Sequence, residues 1–318
     1  MTGTAVHGTL PGMTGNAAAA PNASRNAAGE AFARLRRRLR ALAYRIVGSV
    51  ADADDILQDA YLRWHGVDPA TVRSPEQYLT ATVSRLAIDH LRSARVRREF
   101  YVGEWLPEPF VEAWEDGPDA AVEAAGDLSV AFLLLLERLP PDQRTVYVLR
   151  EAMDLPFEEI GAILEKTAMA CRQAYRRARE RIGGPPRYDA DRARSQAVAH
   201  AFQAATAQGR YEELVALLAD ETVLVGDGGG KVRAALNPIH GADRVARFLV
   251  GVLGKPGREL VPLPGTVNGQ PGFALLIDGR RHGVMALDIR DGRIAALYHV
   301  ANPDKLRHLP EDGPPGAV

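Results

Sequence analysis

Between residues 30 and 98, apolar side chains recur every three or four positions. Leu35, Leu39, Leu42 and Ile46 predict one amphipathic helix, which Gly48 and Ser49 interrupt before a second begins near Ala51. A polar stretch from Gly66 to Ser74, with Pro69 inside it, predicts a loop. Ser74 and Pro75 then supply the cap and first-turn proline of a third helix, whose stripe runs through Leu79, Val83, Leu86 and Leu91. The helical period returns from Asp127 to Leu139, stops at Pro140 and Pro141, resumes through Val146 and Leu149, and resumes again after Pro156. It predicts three or four short helices ending at Gly183, Gly184, Pro185 and Pro186.

Past that point the pattern changes. Ala197 to Leu218 still predicts two helices, but Thr222–Val225, Phe273–Ile277, Val284–Ile289 and Ile294–Val300 are short β-type runs, the last three joined by Asp278-Gly279 and Asp291-Gly292 turns. Helices followed by an antiparallel meander predict an α+β domain. The chain therefore divides into a disordered tail over 1–29, a helical module over 30–100, and an acidic Pro- and Gly-containing linker over 101–126. A second helical module over 127–183, a linker over 184–194, the α+β domain over 195–306 and a flexible tail over 307–318 complete it.

At 318 residues the chain is long enough for several packed cores, and its longest unbroken apolar run, Val130 to Leu136, is far too short to cross a bilayer. A lone cysteine, Cys171, rules out an internal disulfide, and the first 29 residues lack a secretory pattern, so a reducing cytoplasm is expected. Net charge is only −1, yet it sums opposed blocks. Six arginines lie between Arg34 and Arg45, four aspartates between Asp52 and Asp59, and five arginines against Asp89 between Arg85 and Arg98. Tyr101 to Ser129 holds eight acids and no Lys or Arg, and Lys166 to Arg181 holds six bases against Glu180. Such blocks suit a polyanion at some surfaces and a protein at others.

Pro156 to Ile182 has the layout of a helix-turn-helix. Cys171, Tyr175, Ala178 and Ile182 would face the core, while Arg172, Arg176 and Arg179, with Gln173 and Arg177 beside them, project outward where a major groove is read. Asp52, Asp55 and Asp59 form one helical stripe, which is either a solvated acidic face or a docking surface for a basic partner. Spacing alone leaves both readings open.

Four segments in order, "DADDILQDAYLRW" (52–64), "YLTATVSRLAIDHLRSARVRR" (78–98), "LPPDQRTVYVLRE" (139–151) and "PFEEIGAILEKTAMACRQAYRRARERI" (156–182), resemble extracytoplasmic-function sigma factors of the sigma-70 family. "WLPEP" (105–109), "DGGGKV" (227–232) and "NPDKL" (302–306) resemble the subgroup with a fused SnoaL-like C-terminal domain. The resemblance implies two all-α domains followed by an α+β cone domain with an antiparallel sheet, and promoter-specific transcription initiation without catalysis or cofactor. Asp55, Gln58 and Asp59 match positions that contact the β′ coiled coil of core RNA polymerase. Tyr78, Ser84, Arg85, Asp89, Arg92 and Arg95 fall on the helix that opens the minus-10 element, the loop from His65 to Ser74 on the one that receives a flipped base, and Arg172, Gln173, Arg176 and Arg177 on the minus-35 reading helix. Trp105, Leu106, Pro107, Asp227, Lys231, Asn302, Asp304 and Lys305 are expected to meet in space and regulate the two modules in cis, with Trp105 and Leu106 as apolar anchor and the linker acids lying over DNA-binding arginines. No membrane and no separate anti-sigma factor are implied, and the C-terminal domain has room for a small-molecule ligand.

Two positions depart from the family pattern: Ser84 stands where many members have asparagine, and Glu165 replaces a glycine common in the helix turn. The "DGGGK" run lacks the Ser or Thr and spacing of a phosphate loop and predicts a glycine hairpin. His200, His240, His282 and His299 with Asp243 share no ligand spacing and are expected to be structural, and Cys171 to be a buried filler. Two rival functions remain: a small-molecule cyclase or isomerase tethered to a DNA-binding module, which requires a buried Asp/His pair in the C-terminal pocket, and a repressor that never meets polymerase.

Overall fold

A computed structural model of the chain describes residues 19–68, 71–98, 101–111, 129–183, 191–253 and 260–311, with backbone alone for 19–28, 94–98 and 253. Helices α1 (Ala19–Val47), α2 (Val50–His65) and α3 (Pro75–Arg98) form the first module. Helix α1 begins well inside the stretch expected to be a disordered tail, where alanine, the strongest helix former, is frequent. Helices α4 (Val130–Glu137), α5 (Pro141–Glu151), α6 (Phe157–Leu164) and α7 (Ala168–Ile182) form the second. Glu165, between α6 and α7, is left-handed at φ 55°, so the turn does require the conformation that glycine adopts without strain.

The two helical modules share one hydrophobic core, which runs from Leu39 and Leu42 of α1 and Leu79 of α3 to Val146 of α5 and Ile182 of α7. They are not beads on a string. Both α1 and α3 pack against α5, and α3 also packs against α6.

The third unit contains α8 (Arg192–Ala207), α9 (Tyr211–Leu217), α10 (Ala242–Leu253) and a six-stranded sheet. Its strands are β1 (Leu218–Asp227), β2 (Ile239–His240), β3 (Leu260–Val267), β4 (Gln270–Ile277), β5 (Arg280–Arg290) and β6 (Arg293–Val300), in the order β2-β1-β6-β5-β4-β3. This is the α+β architecture expected, with one correction: β1 runs parallel to β6, while the other neighbours are antiparallel. Asp278-Gly279 and Asp291-Gly292 have positive φ at both positions, as tight hairpins between right-twisted strands demand. Strand β3 was not expected because it contains Pro262 and Pro264, and it occupies the sheet edge, where a missing N–H is tolerated. Helices α8 to α10 cover one sheet face through Phe202, Leu249, Phe273 and Leu287. The opposite face carries Val284, Ala286 and Tyr298 and packs on Val130 and Ala131 of α4 and on Leu106. No helix among the described residues is long and apolar enough to cross a membrane.

Candidate functional site

Residues 101–111 were expected to be a linker, but Leu106 to Pro109 are buried, and the segment is a strap between the first module and the sheet domain. Its anchor in the sheet domain is Asp227, at the end of β1. The fully buried carboxylate accepts hydrogen bonds from Tyr101 Oη at 2.5 Å, Leu106 N at 2.9 Å and Lys305 Nζ at 2.7 Å. Lys305 also donates to the Leu106 carbonyl and lies 4.1 Å from the centre of the Trp105 ring. An ammonium buried this way is sustained by one full counter-charge and an aromatic face. Asn302 donates to Tyr101 Oη at 2.8 Å, and Lys231 pairs with Asp304. Gly229 explains the glycine run: at φ 59° a Cβ there would fall 2.2 Å from the Asn302 side chain, so only glycine lets "DGGGKV" close on "NPDKL". All eight residues expected to meet are therefore in one region, with Pro107 buried in the strap between Leu106 and Glu108.

At its other end the strap holds the first module. Glu108, buried, accepts from Ser49 Oγ at 2.9 Å, Val50 N at 2.7 Å and Ala51 N at 3.1 Å, so its carboxylate supplies acceptors to the first turn of α2 and complements the helix dipole. Glu108 N donates to Gly48 O at 3.0 Å, and Tyr44 Oη donates to Glu108 O at 2.6 Å. Asn268 Nδ2 reaches the same hydroxyl at 2.7 Å and thereby ties α1 to the β3–β4 turn. Gly48, at φ 73°, is where three units cross: a Cβ there would lie 3.2 Å from both Glu137 Oε1 and the Trp105 ring. Beside it the buried Arg144 pairs with Glu137 at 2.6 Å and donates to the Arg45 carbonyl of α1 at 3.3 Å. Sequence reading missed Glu108, Tyr44, Asn268 and Arg144 because their partners lie far away along the chain.

Of the expected promoter contacts on α3, Ser84 is turned inward, while Arg85, Asp89 and Arg92 keep exposed side chains that are paired within the chain. Ser84 is fully buried, and its hydroxyl has no hydrogen-bond partner among the described residues. Arg85 donates from Nε to the Ile163 carbonyl at 3.0 Å and pairs with Glu165 at 2.9 Å. Arg92 meets Asp142 at 3.2 Å as well as Asp89 at 3.6 Å. Partial burial opposes ionisation of Asp142, but Lys166 and Arg92 together hold its carboxyl below the usual carboxylate range. Tyr78 is half-buried and stacked near Trp64, and the Arg95 side chain lies outside the described residues. The groups that pair with the arginines of α3 are thus two acids and one carbonyl of the second module. Of the linker acids, Glu108 caps α2 instead of lying over arginines, and those from Glu112 to Asp127 lie outside the described residues.

Two other surfaces are open. Asp55, Gln58 and Asp59 are exposed on α2, beside Leu62 at 61% exposure. Asp52 leaves this stripe: it faces α3 and sits 3.1 Å from His90 Nε2. On α7, Arg172, Gln173, Arg176 and Arg177 are exposed, while Cys171, Ala178 and Ile182 are buried and Tyr175 half-buried against the core. Arg172 pairs with Glu158, and Arg176 with Glu180 at 2.8 Å. Cys171 is fully buried, and burial pushes its thiol up. Of the scattered histidines only His282 and His299 are brought together among the described residues, with ring centres 6.2 Å apart; Asp243 bonds Tyr211 and Arg247, and no metal-binding cluster occurs among the described residues.

Comparison with known proteins finds relatives both of the helical modules and of most of the chain. Residues 31–97 match the family model for sigma-70 region 2, and residues 129–182 that for sigma-70 region 4. The chain is 39% identical over 292 residues to the ECF RNA polymerase sigma factor SigJ of Mycobacterium tuberculosis, covering 88% of this chain and 93% of that one. Another relative, the probable ECF RNA polymerase sigma factor SigI of the same species, is 31% identical over 279 residues, 84% of this chain and 91% of the relative. The crystal structure of the M. tuberculosis extracytoplasmic-function sigma factor SigJ aligns with a TM-score of 0.72 at 36% identity, over 89% of this chain and all of that one.

Proposed function

This chain belongs to the extracytoplasmic-function sigma factors of RNA polymerase, and on that premise we propose that its sheet domain holds it in a closed state in which polymerase can be met but a promoter cannot be opened. As a sigma factor it directs transcription initiation. The observation that carries the further reading is the fate of α3: Ser84 is buried, and Arg85 and Arg92 are engaged by Ile163, Glu165 and Asp142 of the second module. Promoter recognition needs this helix on the minus-10 strand while α7 reads the minus-35 element, so α3 must come away from α6. The strap opposes that separation, because Asp227 and Lys305 fix one end and Glu108 the other. Coupling of about 1–3 kcal/mol would change activity roughly 5- to 150-fold.

In this reading Asp55, Gln58 and Asp59 dock on the β′ coiled coil, and Arg172, Gln173, Arg176 and Arg177 read upstream DNA. Control in cis requires no separate inhibitory protein, and the chain acts where polymerase does, in the cytoplasm. Run-off transcription with core polymerase tests the proposal. Asp227→Ala combined with Lys305→Met removes both buried charges together and should raise promoter-specific transcript several-fold; an unchanged or lower yield overturns closure as the inactive state.

A further inference from the structure

We propose that the sheet domain binds an apolar carboxylate, of the fatty-acid or aromatic-acid class, in the cavity between its sheet and its helices. The site is independent of whether the strap controls transcription. Helices α8 and α10 stand off the curved sheet and leave a cavity of about 470 Å³, walled by Phe202, Leu224, Phe248, Phe273 and Met285. Such a volume suits a small molecule with an apolar body. Phe202, Leu224, Phe273 and Met285 belong to the buried core of this domain, so an open space lined by them forfeits dispersion contacts that a ligand would restore.

The polar groups set the class. His282 and His299 contribute to the wall, with ring centres 6.2 Å apart. Burial, and secondarily the neighbouring His282, push His299 down to about 4, so it is neutral at physiological pH and offers a ring contact without a charge. Among the described residues no Asp or Glu lines the cavity. The charge that remains is Arg233, exposed and without an ion pair among the described residues. A cationic amphiphile would meet Arg233 as a like charge, and a sugar or nucleotide would leave most of its hydrogen-bonding groups facing Phe and Leu. An apolar body with one terminal carboxylate satisfies both parts of the site, its anion at Arg233 where solvent reaches it.

Titration calorimetry on the full-length chain tests this with dodecanoate, dodecanol and dodecyltrimethylammonium as probes. Dodecanoate should bind one to one and about fivefold or more tighter than dodecanol, with the ammonium weakest. Arg233→Ala, at an exposed position, should bring dodecanoate down to the affinity of dodecanol and leave dodecanol unchanged. Met285→Trp, which fills the cavity, should remove binding of both. Absence of dodecanoate binding, an ammonium that binds as well as the carboxylate, a dodecanoate affinity unmoved by Arg233→Ala, or binding that survives in a folded Met285→Trp chain each overturns the assignment. Should Met285→Trp fail to fold, the Arg233→Ala comparison decides alone.

Discussion

The acidic face of α2 and the basic face of α3 belong to one module and one core and are both exposed, yet Asp55 and Asp59 lack a partner within the described chain while Arg85 and Arg92 have one. Asp55 and Asp59 make no ion pair among the described residues and stand beside an exposed Leu62. Arg85 and Arg92, by contrast, are met by Glu165, Asp142 and the Ile163 carbonyl. Charge complementarity within the chain accounts for the difference. The second module turns acids and a helix-end carbonyl toward Arg85 and Arg92, whereas on α2 Arg40 pairs with Asp54 and His90 meets Asp52 while Asp55 and Asp59 are left without an ion pair among the described residues. In the proposed function the first of these surfaces meets another protein and the second meets DNA, and it is the arginines of the second that are engaged within the chain.

The strap is where this asymmetry can be broken with the largest effect. Asp227→Ala leaves the Lys305 ammonium buried without its counter-charge and the Leu106 amide without its acceptor, which should cost about 3–5 kcal/mol, measured by denaturant unfolding. Next comes the open face: Asp55→Arg with Asp59→Arg should weaken core-polymerase binding about tenfold or more, equivalent to about 1.4 kcal/mol or greater, while Arg85→Ala with Arg92→Ala should leave it intact. Equal losses in both pairs would remove the distinction between the faces. Glu108→Ala deprives the first turn of α2 of its carboxylate and should destabilise the chain by about 1–2 kcal/mol, seen as a lowered unfolding midpoint. The smallest effect tests the pairing of Arg85. Glu165→Ala and Glu165→Gly both remove the exposed pair with Arg85, but glycine also relieves the left-handed backbone, so Glu165→Gly should be more stable than Glu165→Ala by about 1 kcal/mol.

Much of this was legible in the residues because it rests on local rules. The periodicities give α2 to α7, the Asp-Gly pairs give their turns, and Cys171, Ala178 and Ile182 point inward because they recur on one helical face. The acidic stripe was legible too, except for Asp52, whose His90 partner lies on another helix. Prolines concealed β3, since their effect on a strand depends on whether it lies at an edge, and edge status is a property of the whole sheet.

What the sequence determined by itself was therefore each element whose stabilising partners lie within a few residues, together with the family motifs carried on those elements. Only the tertiary structure decided that 101–111 is a strap and not a loose linker, that β1 joins β6 in parallel, and that Arg85 and Arg92 of α3 pair with the second module. Prolines, glycines and acids in that segment have the composition of solvated chain. Yet Leu106 is buried against residues from α4 and the sheet, and Glu108 finds its donors at Ser49, Val50 and Ala51, almost 60 positions earlier. Burial and hydrogen bonding of this kind depend on which distant groups arrive at the same place, and local periodicity and propensity carry no record of that.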